Sequence, residues 1–332
     1  MIRKVLVQGF KIVFSGLLVG FLLRRIGVQR IVDQFHSADI YWLMGAVILL
    51  AMSHFLGSFQ WWLLLRSNDI RISWRKTVSF YFVGLFFNNF FIGALGGDFF
   101  RMVDVRRYSK NGTGAVSTVF LDRFVGLLVL SGMAVAAAMW VLIRGDMRSY
   151  LRYPLVVLFV GWIVVLFFLF NKRFARPFAW SIQKVIPEGM SAKTREVYQK
   201  IYDFGRQRNL IFRLICISMI VQSARVFTHY LLGRSLGITV SPVTFFLIIP
   251  FVAIMASLPL SLGGIGLREQ TGVLLFGMVG MSALQGFSVE FLSYLVAIVT
   301  SLPGGILFIG RRRIEYGRIH MFGKTVGEGE EQ

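Results

Sequence analysis

One cysteine, four histidines, seven prolines and sixteen acidic side chains are spread over 332 residues. Each scarcity removes a class of protein. A lone thiol, Cys216, cannot close an internal disulfide. It sits in an apolar run and reads as a buried side chain. His36, His54, His229 and His320 are scattered, with no H-E-x-x-H or comparable metal-ligand spacing. There is no P-loop, so ATP hydrolysis by this chain is not expected. There is no G-x-S-x-G elbow either. No catalytic residue, cofactor or metal is assigned. Acidic side chains are outnumbered by Lys and Arg, 16 against 36, for a formal net charge of +20. Such an excess is one signature of nucleic-acid binding. Here the basic residues lie mostly between hydrophobic runs, the pattern of topology signals and anionic headgroup contacts. Membrane lipid, not nucleic acid, is the expected partner.

What the chain has in excess is apolar surface: 56% of residues are hydrophobic and the mean hydropathy is +0.68. A soluble domain has too little interior for that fraction, and several runs approach the ~20 residues that cross a bilayer. The runs do not alternate as barrel strands do. The fold class is therefore an all-α polytopic membrane protein, because lipid cannot satisfy open backbone groups. Full spans are expected at about 5–23, 40–65, 119–143, 152–170, 210–232 and 286–310. The N-terminal run follows Arg3 and Lys4 and ends at "LLRR" with no small-residue cleavage site, so it reads as a retained helix.

Two apolar regions fit no simple crossing. Segment 77–100 is flanked by Arg66, Arg71, Arg75 and Lys76 on one side and by Arg101, Arg106, Arg107 and Lys110 on the other. Both flanks read as cytoplasmic. The segment is expected to enter and return as a re-entrant hairpin, tolerated only where protein or a water-filled cavity shields its backbone. Segment 243–281, broken by Pro250, Pro259 and "SLGGIGLREQ", is expected to be a second hairpin of opposite orientation. Both termini then lie inside. Arg24, Arg25 and Arg30 fall on the external side in this layout, against the charge rule unless 24–39 is an interfacial helix. The basic segment 172–209 reads as an amphipathic stretch along the cytoplasmic leaflet. Residues 1–312 form one transmembrane domain with halves at about 1–145 and 150–312, and 313–332 a short cytoplasmic tail.

A repeat supports the layout. Gly96, Gly97 and Arg101 recur as Gly263, Gly264 and Arg268 at an offset of 167, which also carries 40–65 and 119–143 onto 207–232 and 286–310. Inverted repeats with broken helices near the midplane are a transporter arrangement; the alternative is eight unrelated helices.

A broken helix exposes backbone N–H groups that attract anions, glycine permits close approach, and arginine adds a bidentate phosphate partner. Gly96, Gly97 and Arg101, and Gly263, Gly264 and Arg268, are therefore candidate lipid-phosphate sites. The plainer alternative is that the glycines serve helix packing and the arginines mark the interface. Ionisable residues in apolar context are functional candidates. Asp122 and Arg123 open a span, and Asp122 is expected to pair with Arg101 or Arg123, or to form an interfacial ion pair. Gln222, Arg225 and His229 share a helical face and are expected to face a cavity, the alternative being a partner. Glu269 and Glu290 are each candidates to balance Arg225 or Arg268. Asn88 and Asn89 either line a polar groove or cap the turn. His54 and Gln60 are expected to be satisfied within the bundle.

The strings "NNFFIGALGGDFFR", "LDRFVGLLVL" and "SLPLSLGGIGLREQTGVLLF" resemble, in order and spacing, the integral membrane domain of lysylphosphatidylglycerol synthetases and its stand-alone relatives, a family described as flippase-like. The resemblance runs from the first helix to about residue 312. It places Gly97, Asp98, Arg101, Asp122, Arg123, Gly264, Gly266, Arg268 and Glu269 at the family's characteristic positions. The first motif often carries a proline before its glycines, where this chain reads "FIGALGG". The bifunctional relatives append a soluble aminoacyl-transferase domain; this chain stops soon after its last span and is not expected to make lysylphosphatidylglycerol. Members are also associated with polyprenyl-linked sugars and hopanoids. The resemblance implies translocation of an anionic or lipid-linked headgroup between leaflets of the cytoplasmic membrane. Arg101, Arg225 and Arg268 would hold the headgroup, and Asp98, Asp122 and Glu269 would position them or contact a cationic group. The alternatives are a membrane-embedded transferase on a lipid-linked substrate and a non-transporting partner of a lipid-modifying enzyme. Protein partners would be a second copy of the chain or such an enzyme.

Overall fold

The computed structural model describes residues 2–90, 96–143, 160–161, 200, 204, 207–258, 261 and 263–327. Most of these residues are helical, and there is no strand among them. The helices are α1 (Ile2–Ile26), α2 (Val28–His36), α3 (Ile40–Ser67), α4 (Trp74–Phe90), α5 (Gly96–Ser109), α6 (Gly112–Ile143), α7 (Arg208–Ser235), α8 (Pro242–Ser257), α9 (Leu267–Met278) and α10 (Ala283–Gly327). Ile40–Ser67, Gly112–Ile143, Arg208–Ser235 and Ala283–Arg311 are long and apolar enough to cross a membrane. They coincide with four of the six expected spans. The run 5–23 lies inside α1; all but two residues of the span expected at 152–170 and nearly all of segment 172–209 lie outside the described residues.

Local chemistry sets the boundaries. Asp39 caps α3, its Oδ1 accepting the Tyr41 N–H at 2.8 Å. The chain reverses after α3 at Asp69, in the left-handed region at φ 58. The Trp62 indole there donates to the Ile72 carbonyl at 2.9 Å. Asn111 opens α6 by accepting the Gly114 N–H at 2.9 Å.

The repeat is carried element by element. Adding 167 to the first residues of α3, α4 and α6 gives 207, 241 and 279, where α7, α8 and α10 begin at 208, 242 and 283. Packing obeys the same exchange: α4 lies on α10 as α8 lies on α6, and α5 lies on α6 as α9 lies on α10. The related helices α3 and α7 pack on each other and run antiparallel. The Asp39 N–H donates to the Ser235 carbonyl at one end, and Gly57 faces Arg225 toward the other. Mates that lie adjacent and antiparallel are what an inverted repeat requires.

The short helices form two hairpins. In α4 and α5, Asn88 meets Gly97 and Lys76 lies over the Tyr108 ring. In α8 and α9, Ala256 meets Gly264 and Phe245 packs on Phe276 at 5.2 Å between ring centres. The hairpins approach from opposite ends, and a Cβ on Gly263 would lie 3.4 Å from the carbonyl oxygens of Asn88 and Asn89. Small residues make the packing possible. Gly304 and Gly305 seat α10 against Phe82 and Phe86 of α4. At the same repeat positions Ala137 and Ala138 seat α6 against Leu247 of α8. A Cβ on Gly97 would overlap the carbonyl of Gly84. Gly97→Ala is therefore expected to destabilise the protein by about 1–3 kcal/mol through overpacking. A thermal midpoint in detergent equal to wild type would contradict that contact.

Two expectations need correction or completion. Cys216 is exposed, not buried, because it lies on the outward face of α7 between Phe212 and Met219, which are exposed too. Segment 24–39 contains the short helix α2, seated by Ile31 on Leu22, Ile26 and Phe287.

Candidate functional site

A cavity of about 280 Å³ lies where the repeats meet. Every helix from α3 to α10 contributes to its wall, among them Gln60, Tyr81, Asn88, Arg101, Asp122, Arg123, Gln222, Arg225, His229 and Arg268. The expected face of α7 is present: Gln222, Arg225 and His229, at i, i+3 and i+7, all reach the cavity.

On one side four charges neutralise one another. Arg101 bonds the Asp122 carboxylate at 2.8 Å and Asp98 at 3.4 Å. Arg123 forks onto Asp98, with Nε at 2.8 Å and a terminal nitrogen at 3.1 Å. Of the two partners expected for Asp122, the structure selects Arg101. The Gln60 amide donates to the second oxygen of Asp122 at 3.1 Å. Arg101 also lies between aromatic faces, 4.1 Å from the Trp61 ring centre and 4.7 Å from that of Tyr81. Cation–π contact offsets part of the cost of burying its charge. A second pair, Arg311 with Asp104 at 2.8 Å, closes the open end of the first hairpin, where Arg311 also bonds Ser79.

The opposite side is not balanced. Among the described residues no carboxylate lies within ion-pair reach of Arg225 or Arg268. Arg225 donates to the Tyr81 hydroxyl at 3.3 Å. Arg268 lies 5.9 Å from the Tyr294 ring centre, and its Nε has no hydrogen-bond partner. The acids expected to balance them are used elsewhere. Glu269 caps α9, accepting the Gly266 N–H at 2.6 Å, with Gly266 at φ +84 as the helix entry requires. Glu290 is fully buried, facing His229. Unpaired cations inside a bundle are costly, and Arg225 and Arg268 leave this half of the cavity with an excess of positive charge.

The glycine motifs serve mainly as packing and turn elements. Gly96 starts α5. The Gly97 N–H, expected to be free for a ligand, instead donates to Asn88 Oδ1 at 2.9 Å, so Asn88 caps the start of α5 while also lining the cavity. Gly263 and Gly264, at φ +55 and +86, form the turn that aims Arg268. Gly96, Gly97, Asp98, Gly263, Gly264, Glu269 and Glu290 thus stand behind the wall that Arg101, Asp122, Arg123, Arg225 and Arg268 form.

A sequence model of the lysylphosphatidylglycerol synthase TM region matches residues 9–305. The chain belongs to this family. A UPF0104 membrane protein of Pyrococcus horikoshii is 25% identical over 325 residues, covering 91% of this chain and 97% of that protein. A UPF0104 membrane protein of Methanothermobacter thermautotrophicus is 21% identical over 289 residues, covering 82% and 85%. In this member of the lysylphosphatidylglycerol synthase TM region family, a helical membrane protein, three residues of the site escape sequence reasoning: Gln60 and Tyr81 line the cavity, and Trp61 lies buried against Arg101. Trp61 and Tyr81 look like lipid-facing aromatics, and Gln60 like a polar group bonded inside the bundle. Only Gln60 carried a signal, as an amide in a long apolar run.

Proposed function

We propose that this protein carries an anionic, phosphate-bearing lipid headgroup between leaflets. The headgroup occupies the cavity while the acyl chains remain in the bilayer. The observation that carries this reading is the pair Arg225 and Arg268, which face the cavity without a carboxylate partner among the described residues. The volume of about 280 Å³ is near the lower end of ligand pockets, roughly 300–1,000 Å³, a size for a headgroup and not for acyl chains. Arg225 and Arg268 on the wall offer the planar guanidinium donors that suit a phosphate.

The hairpins α4–α5 and α8–α9 enter and leave on opposite faces of the membrane, so the cavity sits near the midplane and is opened alternately by rocking of the repeats. Helices of 17, 14, 16 and 12 residues favour this, being short of the ~20 residues of a full crossing. Arg66, Arg71, Arg75, Lys76, Arg106, Arg107, Arg208 and Arg311 lie at one end of the bundle, supporting a cytoplasmic position for that end and both termini. Both aspartates around the cavity are engaged by arginines, so neither is free as the acid or base of a transferase.

Reconstitution into liposomes with a panel of tail-labelled fluorescent lipids tests the reading. Exchange of anionic phospholipids between leaflets is expected to accelerate. Folded protein that accelerates the exchange of no lipid in the panel would overturn it.

A further inference from the structure

Glu290, on α10, has 0% exposure, and neither carboxylate oxygen has a hydrogen-bond partner. An isolated ionised carboxylate is strongly unfavourable in such a place. Its ion-pair neighbour among the described residues is the His229 ring of α7, with Nε2 3.7 Å from Glu290 Oε2. The other ring nitrogen, Nδ1, lies 3.0 Å from the Arg225 carbonyl. A carbonyl only accepts, so Nδ1 carries a hydrogen. In a neutral imidazole the Nε2 lone pair then points at the carboxylate. Two acceptors facing each other in a dry interior repel unless a proton lies between them. The site is built for this pair: a Cβ on Gly272 of α9 would lie 2.5 Å from Glu290 Cγ, so a glycine there makes room for the carboxyl arm.

We infer that His229 and Glu290 together hold one exchangeable proton and that this proton is bound cooperatively with the anionic headgroup. The inference rests on the lipid-carrier reading and gives it a coupling ion. His229 lines the cavity one helical turn from Arg225, so a protonated pair adds positive charge where the anion sits. The anion stabilises that charge, and by reciprocity the charge tightens anion binding. When the headgroup leaves, Arg225 and Arg268 repel the proton. One proton enters with the headgroup and one leaves with it, so a proton gradient drives the lipid in a chain that has no ATP loop. Among the described residues, the ionisable groups around the pair are Arg225 on α7, Arg268 and Glu269 on α9, Tyr294 on α10 and His54 on α3, and Asp122 and Arg123 of α6 line the same cavity as His229. Glu269 is held by the Gly266 N–H, Tyr294 by the Asn89 carbonyl at 3.0 Å, and His54 by Thr300 at 3.3 Å. α8 carries no ionisable side chain.

Calorimetric binding of dihexanoyl phosphatidylglycerol to the whole chain in detergent tests the pair apart from transport. This phosphodiester keeps its charge from about pH 6 to 9, and over the range where the pair titrates affinity is expected to fall up to about tenfold per pH unit. Binding should take up a proton, read as a heat that varies with buffer ionisation enthalpy. Glu290→Gln should remove both dependences. Should that variant not fold, ¹⁵N-histidine spectra of the wild-type protein serve instead: lipid binding is expected to protonate Nε2 of His229. Affinity and spectra indifferent to pH and to lipid would overturn the proton pair. Proton-linked binding in a protein that moves no lipid would uphold the pair and overturn the carrier. No binding by folded protein at any pH would overturn both.

Discussion

Asp98→Ala is expected to lower the stability of the protein by about 3–5 kcal/mol, the cost of removing one partner from a buried ion pair. The Asp98 side chain is 2% exposed and is shared by two arginines. Its loss leaves Arg101, itself 4% exposed, with Asp122 as its one carboxylate partner, and Arg123 with none among the described residues. Arg123 is 48% exposed toward the cavity and recovers part of its solvation, which places the effect at the lower end of that range. Thermal unfolding in detergent measures it. Adding Arg123→Gln should restore part of the loss, since a neutral amide does not require the carboxylate. A cost below about 1 kcal/mol would mean that water reaches the quartet and that it behaves as a surface pair.

Arg225→Gln and Arg268→Gln are expected to act in the opposite sense. Hydrogen bonds to charged groups contribute about 1.5–3 kcal/mol each, so each substitution should weaken anion binding roughly ten- to hundredfold. The double variant should abolish measurable lipid exchange. Stability should hold or rise, because each change removes a costly charge that has no carboxylate within ion-pair distance among the described residues. The two readouts together separate a binding role from a structural one. Arginines that hold the bundle would reduce stability when removed, as Asp98 does. Lipid exchange at the wild-type rate in a folded double variant would favour the non-transporting partner.

The apolar runs fixed the helical class, and their lengths fixed four spans, because a lipid-facing helix needs no partner to reveal its composition. Pattern also reached the repeat. Glycine and arginine recur at one offset, although Gly96 and Gly97 open α5 while Gly263 and Gly264 form the turn before α9, and the offset lands near the starts of α7, α8 and α10. The α7 stripe was legible for a related reason: three polar side chains at helical spacing have no place in lipid.

Charge pairing was not legible. Asp122 stands beside Arg123 in the chain and bonds Arg101; Arg123 reaches back to Asp98. Adjacent residues on a helix point about 100° apart, and the partner is set by how α5 lies on α6. Packing likewise decided what Gly97 is for, where Cys216 faces, and that Trp61 and Tyr81 cage a guanidinium and do not meet lipid. It decided which arginines remain free, the property on which the functional reading turns. A one-dimensional pattern records the polarity of each side chain and its periodicity. Which charges neutralise one another depends on distances across helices far apart in sequence, and those distances exist only once the two repeats have closed on each other.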